Sequence, residues 1–344
     1  MTPSNAPRHR AVVPTDITPL PAGQRPTPGP IAVLANSSGD AAEESSAAAL
    51  FADAVTDAGG TLAPLSNDTR GLVWLSYSRS DELGEILAAH PQIGWVQLPW
   101  AGVDAFSGIL AARDRPGLIW TSAKGAYAQP VAEHALALSL ALLRVLHTRA
   151  RATTWNSVPA GRSFYGRNVV IIGAGGIALE LINLLAPFGA HVTVVRRSDA
   201  PVPTAERTVT TRDLLQVLPD ADVVVVAAAL TGDTRHLIGT AELAAMKREA
   251  VLVNVARGGL VDTAALVQAL ATSTIAGAAL DVTDPEPLPD GHPLWNEPRC
   301  LITPHMADTP EMTSPLLAER IRLNVRAFLE DSRFVGVVDP ARGY

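Results

Sequence analysis

The sequence predicts an α/β protein built from two doubly wound, parallel-sheet domains. Short apolar runs alternate with helical segments twice along the chain, first from Ile31 to Thr121 and again from Val169 to Thr303. That alternation is the signature of parallel strands joined by crossover helices. A length of 344 residues exceeds what one hydrophobic core usually organises. The composition is 47% hydrophobic but only 5% aromatic, which suits parallel strands buried on both faces.

Taken in order, residues 1–30 are rich in Pro, Thr and Arg and carry no apolar period, so they read as a flexible extension. Ile31–Leu34 reads as a strand and Ala41–Ala58 as a helix. Gly71–Tyr77 is a strand, Asp81–Ala89 a helix, and Trp95–Leu98 and Leu118–Thr121 are two more strands. A long helix is predicted over Tyr127–Ala150, where Val131, Ala135, Leu138, Leu142 and Val145 recur at three- and four-residue steps. A polar loop rich in Gly and Pro covers Trp155–Gly166.

The second series begins at Val169. Its strands are Val169–Ile172, Val192–Val195, Val223–Ala228, Val251–Val255, Ile275–Leu280 and Leu301–Thr303, with a helix predicted over Ile177–Phe188 after the first. A last helix, Met312–Leu329, follows a sheet already complete by residue 305. Packing it back on the first domain makes that domain discontinuous: 31–126 with 306–344, enclosing a second domain over 127–305.

Charge and cysteine content narrow the function classes. A net charge of −7 argues against a nucleic-acid surface, which needs a concentrated basic face. The single cysteine, Cys300, permits no internal disulfide and reads as a small core residue. The longest apolar stretch, Ala135–Leu143, ends at Arg144 and falls far short of the ~20 residues of a membrane span. With no apolar region of a signal peptide at its start, the chain is expected in the cytoplasm. No histidine pair has metal-ligand spacing near a carboxylate, so no metal is expected. His134, His236 and His292 read as helix, loop and surface residues.

Val169-Val170-Ile171-Ile172 leads into Gly173-Ala174-Gly175-Gly176-Ile177-Ala178, a strand, a glycine turn and a helix start. In this pattern the first glycine makes the tight turn and the second lets a dinucleotide's pyrophosphate approach the backbone. The third position, here Ala178, allows close helix–strand contact. The phosphates would lie on the N–H groups of Gly176 and Ile177 at the helix start. At the end of the next strand an acid normally takes a ribose 2′-hydroxyl, but Arg196-Arg197 stand there. Two guanidinium groups can grip a 2′-phosphate, which favours NADP(H) over NAD(H). The alternative is two solvated surface arginines, with Asp199 serving the ribose.

Three further strand ends carry polar side chains. Arg257 follows Val255-Ala256, Asp281 ends Ala278-Ala279-Leu280 with Glu286 five residues on, and His305 follows Thr303-Pro304. Ligands of open α/β sheets bind at the carboxyl ends of strands. A guanidinium there can hold a carboxylate in two hydrogen bonds and polarise an adjacent carbonyl.

In these pieces the chain resembles the D-isomer-specific 2-hydroxyacid dehydrogenase family. The matches are Gly173–Ala178, Asp222–Thr231, Asn254–Asp262, Gly277–Pro287 and Thr303–His305, with Trp95–Asp104 and Val131–His134 in the first half. The resemblance implies a Rossmann cofactor domain inserted in a discontinuous, flavodoxin-like substrate domain, and a homodimer formed through the long helix. It implies that Arg257 orients the substrate carboxylate and carbonyl and that His305 is general acid in reduction and general base in oxidation. Glu286 would pair with His305 and favour its imidazolium. Asp281 would meet the nicotinamide carboxamide, and the backbone amides of Ala101, Gly102 and Val103 the other side of the substrate carboxylate. Further cofactor contacts are implied at Thr231, Val255 and Ala256, beside those at Gly173, Gly175, Arg257 and His305. Glu133 would anchor the hinge helix, and closure of the domains would exclude water.

The expected activity is hydride transfer between a nicotinamide cofactor and a small 2-oxo or 2-hydroxy acid such as glyoxylate or hydroxypyruvate. NAD-linked oxidation of a phosphorylated hydroxyacid is the alternative within enzymes, and a non-catalytic dinucleotide-sensing regulatory protein the alternative outside them. Three residues depart from the family's usual pattern: Arg196 for a common aspartate, Trp100 where a smaller residue is frequent, and Ala229 where proline is common. Trp100 either lines the substrate pocket or covers the core.

Overall fold

The computed structural model describes His9 and residues 17–34, 41–155 and 158–340. Its strands in chain order are β1 (Ile17–Pro19), β2 (Ile31–Leu34), β3 (Gly71–Trp74), β4 (Trp95–Gln97), β5 (Ile119–Thr121), β6 (Asn168–Ile172), β7 (His191–Arg196), β8 (Arg207–Thr210), β9 (Val223–Val226), β10 (Val251–Asn254), β11 (Gly277–Leu280), β12 (Cys300–Ile302) and β13 (Arg333–Val335). The chain divides into two compact units, one made of residues 1–127 with 310–344 and the other of residues 128–309.

The larger sheet lies in the unit 128–309 and is parallel throughout, in the order β12-β11-β10-β9-β6-β7-β8. The winding reverses between β6 and β9, which opens a crevice at the carboxyl end of β6. Val223, Val224, Val225 and Val226 of β9 are all buried at 1% exposure or less, because helices cover both faces of a central parallel strand. β8 has no apolar run to betray it: Arg-Thr-Val-Thr is an edge strand with a single buried residue, Val209.

The long helix is shorter than its apolar period suggests. It spans Ala128–Leu143 and is followed by a separate turn of helix, Leu146–Arg149, after Val145 takes a left-handed backbone at φ 54°. The break has a tertiary cause. Arg162 donates its N–H to the Leu143 carbonyl at 2.7 Å, so the returning loop takes up a carbonyl that caps the helix.

The other unit carries a parallel sheet in the order β2-β3-β4-β5. Leu62 bridges Ile31 in parallel on the outer side of β2, held by Ile31 N–H to the Thr61 carbonyl at 2.8 Å. The chain therefore goes out to one side of β2 and then returns across it to β3, which makes this sheet doubly wound too. Ala32, Leu72, Val96 and Trp120 pack on one face with Leu83, Leu87 and Leu110. On the other face Trp95 lies 5.3 Å from the Phe328 ring.

The last long helix, Pro310–Arg326, belongs to this unit and packs on the helix Ala41–Asp57. Buried polar contacts fix it as well. Asn324 donates to the Gln97 side chain at 2.7 Å and accepts the Val335 N–H at 2.8 Å, while Arg320 donates to the Ser122 and Lys124 carbonyls. The extension expected to be flexible is structured from Ile17, where β1 pairs antiparallel with β13. A three-residue, exposed strand offers no apolar period to read, because its pairing is made by the backbone alone. Residues 1–8 and 10–16 lie outside the described residues.

Candidate active site

β6 ends at Ile172 and the chain turns at Gly173, which has φ +115° and donates its N–H to the Val195 carbonyl at 2.8 Å. A Cβ there would lie 2.6 Å from the Ala227 carbonyl carbon, so no other residue fits the turn. Gly175 is the extended residue that leads into the helix Gly176–Leu185, whose start no side chain caps. A Cβ on Gly175 would meet nothing within 4 Å, so the backbone is open to a ligand. Gly176 and Ile177 supply the first N–H groups of that helix, a place suited to phosphate oxygens. Ala178 is fully buried beneath them. These residues fit a dinucleotide's pyrophosphate.

β7 ends at Arg196, which is half-buried and donates to the Ala200 carbonyl at 3.2 Å. Arg197 and Asp199 are exposed in the loop that follows. After β9, the Thr231 N–H donates to the Thr234 hydroxyl at 2.7 Å, which folds the loop over the strand end.

The Arg257 segment is clipped by a buried amide. Asn254 ends β10, donates from its side chain to the Arg257 carbonyl at 2.9 Å and accepts the Ala256 N–H at 3.1 Å. The Val255 N–H still reaches the Val226 carbonyl, at 3.3 Å. Arg257 is extended, and its guanidinium donates to the Ala256 carbonyl at 2.7 Å. A Cβ on Gly258 would collide with the Thr283 carbonyl, so glycine alone lets this loop lie on the segment carrying Glu286. Thr263 reinforces that contact by donating to the Asp284 carbonyl at 2.7 Å.

Glu286 and His305 lie in contact, the pairing that the family resemblance implies. The Glu286 carboxylate meets Nδ1 of His305 at 2.6 Å, and its other oxygen accepts the Thr283 N–H at 3.3 Å. His305 has φ +53°, and its N–H donates to the Asp281 carbonyl at 2.6 Å. Asp281, only 2% exposed, accepts at Oδ1 from the Thr303 hydroxyl at 2.7 Å and the Met306 N–H at 2.9 Å, and at Oδ2 from the Ala307 N–H at 3.3 Å. Burial pushes its pKa up, but hydrogen bonds from His134, Thr303 and Met306 outweigh that and hold it below the usual carboxylate value.

Unit 128–309 thus brings the glycine turn, Arg257, Asp281, Glu286 and His305 to the carboxyl ends of β6, β10, β11 and β12. Ala101, Gly102 and Val103 follow β4 in the other unit. There Trp100 packs partly on the hydrophobic core and lies 4.3 Å from the Tyr77 ring. His236 is an exposed loop residue, and His292 accepts the Leu294 N–H at the start of a short helix. Cys300 is buried, and burial pushes its thiol up to about 12, which suits a core residue rather than a nucleophile. Among the described residues no His, Cys, Asp or Glu cluster is arranged for a metal.

Several side chains at this edge escaped the sequence reading. His134, read as a helix residue only, reaches the Thr303 hydroxyl at 2.9 Å and Asp281 at 3.4 Å. Asp308 has its pKa raised by burial, with the Asp281 charge adding and His305 and His134 opposing. The one signal available for Asn254 was a polar residue ending an all-apolar strand.

The family model described as D-isomer specific 2-hydroxyacid dehydrogenase, NAD binding domain, matches residues 135–307. A Corynebacterium melassecola protein described as an uncharacterized protein in the proB 3′ region is 40% identical over 259 residues, covering 73% of this chain and 84% of that one. A glyoxylate reductase of Thermofilum pendens is 32% identical over 259 residues, 72% of this chain and 75% of its own. Among solved structures, a D-isomer specific 2-hydroxyacid dehydrogenase from Xanthobacter autotrophicus Py2, in complex with NADPH and MES, superposes with a TM-score of 0.73 at 27% identity, over 92% of this chain and 100% of that one. Arg257, Glu286, His305 and the glycine turn all fall within the matched span: the chain is an NAD(P)-dependent oxidoreductase and belongs to the D-isomer-specific 2-hydroxyacid dehydrogenase family.

Proposed function

We propose that this protein reduces a small 2-oxo acid, of the size of glyoxylate or hydroxypyruvate, with NADPH preferred over NADH and His305 as the acid/base group. The observation that carries this reading is the 2.6 Å contact between Glu286 and Nδ1 of His305, on the same sheet edge as Arg257. With Nδ1 engaged by the carboxylate, Nε2 is the ring nitrogen assigned to exchange a proton with the substrate oxygen. Arg257 binds the substrate carboxylate and polarises the neighbouring carbonyl, held for that work by the Asn254 clip. Ala101, Gly102 and Val103 are retained as carboxylate-binding amides. The glycine turn with Gly176 and Ile177 holds the pyrophosphate, and Thr231, Val255 and Ala256 border the nicotinamide. Asp281 receives the carboxamide at Oδ2, whose one hydrogen bond among the described residues is long at 3.3 Å. When bound, the nicotinamide supplies the hydride. His305 then delivers the proton that completes the alcohol, and takes it back in oxidation.

The cofactor preference rests on Arg196 and Arg197 at the end of β7, where an acid would repel a 2′-phosphate. The NADPH bound by the Xanthobacter autotrophicus relative supports it. We further infer a cytoplasmic homodimer. No helix among the described residues is long and apolar enough to cross a membrane.

The test is a panel of 2-oxo acids assayed with each reduced cofactor, followed at the nicotinamide absorbance. Turnover of small 2-oxo acids with a higher kcat/KM for NADPH is the expected result. Equal or better use of NADH rejects the preference, and tight dinucleotide binding without turnover of any acid rejects the catalytic reading.

A further inference from the structure

We propose that His134 is a positioning residue for the cofactor: through Thr303 it sets the orientation of the Asp281 carboxylate that receives the nicotinamide carboxamide. The inference rests on the assignment of Asp281 to the carboxamide. His134 lies on the helix Ala128–Leu143, far from the strand ends in sequence, yet its Nε2 is 2.9 Å from the Thr303 hydroxyl and 3.4 Å from Asp281 Oδ1.

The direction of these hydrogen bonds follows from counting protons. Asp281, held ionised, can only accept, and the Thr303 hydroxyl has one hydrogen. At 2.7 Å that hydrogen goes to Oδ1 of Asp281. The Thr303 oxygen is then the acceptor toward His134, so Nε2 of His134 carries a hydrogen shared between Thr303 and Oδ1. With the Met306 N–H at 2.9 Å, Oδ1 collects three donors, whereas among the described residues Oδ2 has the Ala307 N–H alone at 3.3 Å. The arrangement saturates one oxygen and turns the other toward a further donor. A carboxamide N–H is such a donor, and a carboxylate buried to 2% exposure has few other ways to complete its hydrogen bonding. His134 thereby acts on the cofactor without touching it.

Three substitutions test this: His134→Gln, whose amide nitrogen can stand in for Nε2; His134→Asn, which is too short to reach Thr303; and Asp281→Asn. Each is titrated with NADPH and with 2′-phospho-ADP-ribose, which has no nicotinamide, and its thermal unfolding is recorded. We expect His134→Asn to weaken NADPH binding about tenfold, the scale of one strong hydrogen bond, with 2′-phospho-ADP-ribose unchanged within a factor of about two. His134→Gln should stay within about threefold of the parent for both ligands. Equal weakening of both ligands by His134→Asn, or no weakening of NADPH, overturns the proposal. Should Asp281→Asn leave the ratio of the two affinities unchanged, the carboxamide assignment itself falls. If His134→Asn does not fold, His134→Gln decides, since loss of NADPH affinity alone with its donor retained contradicts the proposed contact.

Discussion

His305 sits in a backbone conformation that few residues other than glycine adopt, at φ +53°, and its N–H is tied to the Asp281 carbonyl. Two constraints thus aim the ring: a fixed main chain and a carboxylate on Nδ1. Removing the ring should abolish proton transfer while leaving the glycine turn intact. His305→Ala is expected to lower kcat by roughly 10² to 10⁴, the usual worth of a general acid, with NADPH binding retained. Stopped-flow turnover and a fluorescence titration check the two halves, and a nearly active variant removes the acid/base role.

Asp308, two positions beyond Met306, behaves oppositely to Asp281. Burial raises its folded pKa, so at neutral pH the fold carries an ionised group that it holds less well than the unfolded chain does. This cost is absent at low pH, grows as pH rises above about 3.9, where the unfolded carboxyl ionises, and is complete above the folded value. Asp308→Asn should therefore raise the unfolding temperature at pH 7, with the gain shrinking toward pH 3; an equal gain at both pH values contradicts this. The strand-end positions of Arg257, Glu286 and His305 were legible in the sequence because each follows a readable strand, while the roles proposed for them came from the family resemblance. His134 and Asn254 were not, because their roles depend on which side chains another element brings to them.

At the scale of elements, the turn between β6 and its helix separates folding from binding in neighbouring glycines. Gly173 needs its positive φ and has the Ala227 backbone against it, whereas Gly175 has an ordinary φ of −83° and open space over it. Gly173→Ala should destabilise the protein by about 1–3 kcal/mol or more through backbone strain. Gly175→Ala should fold with an unchanged melting temperature but lose dinucleotide affinity by at least about tenfold, since the added methyl occupies the place of the pyrophosphate. Thermal melts paired with cofactor titrations separate the two; equal affinity in Gly175→Ala sinks the phosphate assignment. This turn was fully readable, because strand, turn and helix are contiguous. The helix break at Val145 was not, since its cause is a hydrogen bond from Arg162 to Leu143, which apolar periodicity cannot register. Likewise β8 and β1 are held by pairing with β7 and β13, and their side chains carry no pattern of their own.

At the scale of the whole molecule, one surplus helix led to the expectation of a discontinuous domain, yet what secures that helix, the buried Arg320 and Asn324 contacts, only the fold reveals. A different feature bears on assembly. In unit 128–309, Leu146, Trp155, Val158 and Tyr165 are exposed by 52%, 97%, 67% and 68%. Arg149 donates to the Val158 carbonyl, which brings this loop beside the short helix Leu146–Arg149. Single exposed apolar residues are commonplace, but a run of large ones with Trp and Tyr among them is where the proposed homodimer contact is expected. A tryptophan almost wholly in water contributes nothing to its own fold, so its substitution isolates association from stability. Light scattering on the intact protein should give twice the chain mass. Trp155→Ser combined with Tyr165→Ser should give a single chain at micromolar concentration, with circular dichroism unchanged. A parent protein that elutes as one chain, or a double variant that remains a dimer, would place the subunit contact elsewhere or remove it.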